Sequence, residues 1–259
     1  MKRFPERLPM PILRSNSSNA KQMRIVLLLA FVARVFDDSI FQPTYLLDSK
    51  CGLRKILIDQ AKVESRKESA IRGSLHALLP NSQATAANRR VQQACREIKL
   101  VVDEILPRDL SLEFENRLET IAESARDRWE VLLRSKSAIE PSFNVEVDEN
   151  WPWHELRLEA GRTTVSVRSQ ESGNDADECL LVVFPRLYTC DQEGETPMSH
   201  GVVLLASQVA AAKREDAERQ LMVKRSITRR AGNRRASNDG EGRSPVFTAR
   251  NFLPQSPRS

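Results

Sequence analysis

Three histidines (His76, His154, His200) and four cysteines (Cys51, Cys95, Cys179, Cys190) are the residues of this 259-residue chain best suited to nucleophilic or metal chemistry, and their spacing limits it sharply. The cysteines lie 44, 84 and 11 residues apart, and no two histidines fall within a helical turn of each other. Neither a CxxC pair nor an HExxH helix is present, so zinc and thioredoxin-like chemistry have no local seed. A Cys190–His200 nucleophile pair needs only proximity in space; the plainer reading is an ordinary thiol and an ordinary imidazole. The four thiols point to a reducing compartment, with a Cys179–Cys190 bridge as the alternative in an exported chain. Asp175 and Asp177 sit in an acidic loop that lacks the glycine and terminal glutamate of a calcium loop. Phosphate-loop, dinucleotide and hydrolase-elbow motifs are absent as well. No catalytic, metal or cofactor residue is assigned.

Two stretches carry binding chemistry. In Trp151-Pro-Trp153-His-Glu155, residues two apart on a strand share a face, so Trp151 and Trp153 would display two indoles together as a protein contact. The plainer reading makes them anchors between sheet and helices. Acidic neighbours argue against base stacking on nucleic acid, which needs a basic rim. The second stretch runs from 224 to 235 and carries Lys224, Arg225, Arg229, Arg230, Arg234 and Arg235 with no acid. Like-charge repulsion favours a solvated segment that seeks an import receptor or a polyanion. Ser237 follows Arg234-Arg235-Ala, while Ser244 and Ser256 precede prolines; phosphates there would each add about −1.5 to −2 and cancel part of the charge.

Charge is sorted along the chain. Residues 1–36 carry +6, residues 224–259 carry +7, and the total is +5, which leaves −8 on the body between them. The isoelectric point of 9.2 therefore describes the ends. The apolar run 25–33 is far shorter than the ~20 residues a membrane span needs. Its basic flank reads as a disordered leader before a buried first helix, or as a mitochondrial or secretory address.

From Lys50 the pattern is helical. Leu53–Leu79 reads as one segment with core contact at Ile56/Leu57 and Leu75/Leu78. Ala84, Ala87, Val91, Ala94, Ile98, Val101 and Ile105 then alternate spacings of three and four, and after Pro107 the residues Phe114, Leu118, Ile121, Ala125, Trp129 and Leu132 repeat the rhythm. Asp109 or Ser111 is placed to cap the second helix. The two form an αα-hairpin whose seam over 84–132 zips within the monomer or onto a second copy. Beyond Pro141 the period becomes two: a hairpin over 153–168, a buried strand at Cys179–Phe184, a strand at Val202–Leu205 and a helix over 207–224.

These readings predict an α+β protein. A basic leader (1–24) expected to be disordered precedes a helical region (25–138). A small antiparallel sheet with a C-terminal helix (141–223) and a disordered basic tail (224–259) follow. The function expected is that of a non-enzymatic interaction or adaptor protein of nucleus or cytoplasm, with no cofactor and no transmembrane segment. An organellar, mitochondrial protein or enzyme with a cleavable leader is the alternative.

Overall fold

The computed structural model describes residues 18–47, 51–103, 108–145, 151–159, 162–167, 179–210, 212–214, 217–218 and 221–222. The chain divides into two units, Met1–Ala217 and Glu218–Ser259. In the second, Glu218, Leu221 and Met222 are helical; Lys224 to Arg235 and Ser237, Ser244 and Ser256 lie outside the described residues. The first unit is α+β, with helices followed by a small sheet region and helical residues at 206–210 and 212–214.

Helix α1 (Ser18–Ser39) begins seven residues before the boundary expected at Ile25, and the apolar run is its centre. Met23, Val26, Leu27, Ala30, Phe31 and Val35 are all at most 2% exposed. Burying residues of this size stabilises by about 1.5–3 kcal/mol each, which makes α1 the axis of the core. It contacts both helix α4 (Pro80–Val102) and strand β4 (Cys179–Phe184), and α4 packs on α5 (Arg108–Leu132). Among the described residues no helix is long and apolar enough to cross a membrane.

The expected segment Leu53–Leu79 is two helices, α2 (Leu53–Val63) and α3 (Ser65–Ala77), parted at Glu64, whose backbone is extended at φ −151°. On α3 a charged pair turns inward: Glu68 and Arg72 are buried while Arg66 and Lys67 stay exposed, and Ile56 and Leu78 are 62% and 57% exposed. Only Leu57 of the expected contacts is fully buried. Leu79 then takes a left-handed conformation, φ 54°, and Pro80 opens α4 at the position where a missing N–H costs nothing. Gln83 ties this junction to the loop after α1: its amide donates to Thr44 Oγ1 (2.8 Å) and Leu75 O (2.9 Å) and accepts from the Tyr45 N–H (3.0 Å).

Most of the α4 side of the seam is buried within the chain, and the α5 side is buried in part. Ala87, Val91, Ala94, Ile98 and Val101 are buried, Ala84 is exposed at the helix start, and Ile105 lies outside the described residues. On α5, Leu118 and Trp129 are buried, but Ile121 is 57% exposed and Ala122 takes the inward position. Ser111 donates to Asp103 Oδ1 across the break (2.9 Å), so it joins the two helices instead of capping the second.

Two sheets follow. One, in the order β1-β5-β6, is antiparallel and consists of Ala138–Ser142, Arg186–Asp191 and Gly194–Pro197. Pro141 is tolerated because β1 is an edge strand. The other, in the order β3-β2-β7-β4, contains the expected hairpin of β2 (His154–Glu159) and β3 (Arg162–Val167), with His154 opposite Val167. Strand β7 (Val202–Leu205) pairs antiparallel with β4 but parallel with β2, through only His154↔Val202 and Glu155↔Val203. The first of these sheets, α1 and α2 are tied by Arg54, which pairs with Asp37 (2.8 Å) and Glu140 (2.8 Å).

Candidate interaction site: a tryptophan and two stacked histidines

Strand β2 starts at His154, so the two tryptophans precede the pleat and do not share a face. Trp153 turns inward and is 3% exposed. Its ring lies against Gly201, where a Cβ would sit 2.0 Å from Trp153 Cζ3, so only glycine fits there. Above the indole lies the guanidinium of Arg186, 4.4 Å from the ring centroid and 5.9 Å from that of Tyr188. Arg186 is 0% exposed. It donates to the carbonyl of Trp151 and weakly to Tyr188 Oη (3.3 Å), and its Nε has no acceptor. A cation this deep ordinarily carries a carboxylate partner; here π faces and neutral oxygens hold it.

The Trp151 carbonyl is thereby fixed and its ring faces outward. It packs on His200 at 5.0 Å with the planes tilted by 36°, and His200 stacks on His154 at 4.4 Å with the planes 14° apart. His200 Nδ1 lies 3.0 Å from the Pro152 carbonyl, which can only accept, so this nitrogen carries the proton. The His154 N–H donates to Gly201 O (2.9 Å), closing the short parallel junction beneath the stack. Burial, and then the His200 ring, push His154 below its ordinary value. The nearly parallel ring planes direct the imidazole lone pairs side by side and not toward one point, a poor geometry for chelation. With His200 exposed and Trp151 and His154 half-buried, the stack offers a flat amphipathic surface on a fixed mount.

Cys190 and His200 are not brought together. Cys190 is 0% exposed, packs with Ala61, Ala138 and Tyr188, and burial pushes its thiol up to about 12. Cys95 is likewise raised to about 11, by burial and then by Glu119 and Glu115. No disulfide joins Cys179 to Cys190. The Asp175–Asp177 loop and the basic tail lie outside the described residues. Among the described residues no group of three or more potential metal ligands gathers.

Sequence reasoning named Trp151 and Trp153 together and set His200 beside Cys190 instead, and it missed Arg186 and Gly201. One local signal existed. Arg186, Tyr188 and Cys190 are buried while Leu187, Thr189 and Asp191 are half-buried, a period of two with the arginine in the inward register. Comparison of the chain with protein-family models, curated proteins and solved structures gives no match.

Proposed function

We propose that this protein is a non-enzymatic interaction protein, an adaptor whose body grips a protein partner through Trp151, His200 and His154. The observation that carries the reading is the exposed three-ring stack held from below by the buried Arg186–Trp153 pair. Tryptophan on a rigid support is the side chain most enriched at the energetic centres of interfaces. The basic stretch Lys224–Arg235 addresses the chain to the nucleus or to a polyanion, and phosphorylation at Ser237, Ser244 or Ser256 weakens that address.

A photo-crosslinking amino acid at position 151, with the same residue at exposed Leu112 as control, tests the contact. The reading expects one discrete adduct from 151 in cells, lost on His200→Ala and absent from 112. Equal labelling from both positions would sink it. For the tail, deletion of 224–235 from a fluorescent fusion should abolish nuclear signal, and unchanged distribution would remove that part. Ala20, Met23 and Val26 belong to the core. That placement favours this reading over one in which a leader is cleaved within α1.

A further inference from the structure

A cleft of about 410 Å³ runs along α3 where it passes the turn after α5, lined by Ser69, Arg72, Gly73, His76, Arg134 and Ser135 among others. The volume falls in the range of small-molecule sites, about 300–1,000 Å³. Among the described residues no carboxylate lines the cleft. Arg72 forms the buried wall and uses four of its five N–H groups, donating to both oxygens of Glu68 and to the carbonyls of Leu133 and Ser135. Those last two bonds matter, because free carbonyls past the end of α5 would repel an anion.

Arg134 differs from Arg72. Its side chain is exposed and makes no ion pair or hydrogen bond among the described residues. Ser69, on the opposite bank, is half-buried with its hydroxyl equally uncommitted. His76 also lines the cleft; burial pushes its ring below its usual value, with Glu130 and a backbone hydrogen bond at Pro43 opposing and Arg134 and Arg72 adding. Gly73 completes the pattern. Glycine is the least favourable residue inside a helix after proline, yet a Cβ here would meet nothing within 4 Å and the backbone is not left-handed. Neither packing nor conformation demands glycine at 73; what its missing side chain provides is the open floor.

We propose that this cleft binds a small phosphate monoester, with Arg134 and Ser69 reaching the phosphate from the two banks and the organic part lying over Gly73 and Ala77. A tetrahedral group presents oxygens to both banks at once, whereas a planar carboxylate would be satisfied by the arginine alone. The site is independent of the Trp151 surface.

Isothermal titration of the full chain with phenyl phosphate, with benzoate as the planar control, tests the assignment. Phenyl phosphate should bind more tightly than benzoate. Arg134→Gln, on an exposed side chain, should weaken it about tenfold to a hundredfold. Gly73→Leu should abolish binding while the melting temperature holds or rises, since leucine is the better helix former. Absence of binding, equal affinity for benzoate, or binding unchanged in either variant would overturn the proposal; the last result would move the anion to the basic ends of the chain.

Discussion

Arg72 and Arg186 are both buried, at 4% and 0% exposure, and their surroundings share almost nothing. Arg72 is neutralised in place by Glu68 one turn back, with two carbonyls accepting from two more of its N–H groups, so the charge closes the junction of α3 with the turn after α5. Arg186 has no carboxylate partner among the described residues and rests between two aromatic rings beneath the exposed stack. A buried charge without a partner is a poor device for stability. The contrast teaches that one arginine holds the fold and the other holds a surface.

The comparison breaks most visibly at Arg72. Arg72→Met strands the Glu68 carboxylate in the core and should cost about 3–5 kcal/mol by urea denaturation; adding Glu68→Gln should recover part of it. Next comes Gly201→Ala, whose methyl must displace the Trp153 ring, at about 1–3 kcal/mol. Arg186→Met should cost less than about 2 kcal/mol, because removing an uncompensated charge offsets the lost cation–π contact and the loss of its bonds to Trp151 and Tyr188. Equal damage from Arg186→Met and Arg72→Met would erase the distinction.

Titration sharpens the picture with a smaller effect. His154 and His76 lie below their ordinary value, so the unfolded chain takes up protons first and stability should fall as pH drops below about 6.5. Asp37 and Glu140 are raised, chiefly by burial, so their contribution runs the other way: stability is lost as pH rises past the ordinary carboxylate range of about 4. Melting curves from pH 4 to 7.5 should show the rising limb near 6 flattened in a His76→Gln/His154→Gln variant, and the falling limb near 4–5 reduced in Glu140→Gln.

Regular periods made much of this legible. The heptad rhythm marked α4 and α5, alternation marked the β2–β3 hairpin, and two valines after Gly201 marked β7. What escaped depended on partners far along the chain. The kink at Glu64 could not be read because each half is amphipathic by itself, and only the buried Glu68–Arg72 pair reveals which face turns in. Strand β1 hid behind Pro141, tolerable only at an edge. The strand at 186–191 hid because its inward residues include an arginine, which no hydrophobicity pattern places inside. At the site, two of the ring residues were in view as neighbours, Trp151 and His154, while Arg186, His200 and Gly201 come from a later hairpin and loop, so no local spacing could join them.

The central claim is that Arg186 mounts the ring stack, and the chain's three histidines make it directly measurable. In a proton–carbon NMR spectrum of the imidazole groups, ring currents from Trp151 and its stacked neighbour should shift the His200 and His154 signals upfield, with His76 on α3 as internal reference. In a folded Arg186→Met protein the account predicts that both signals move toward free-imidazole positions while His76 stays put. Unchanged His200 and His154 signals in that variant would contradict it.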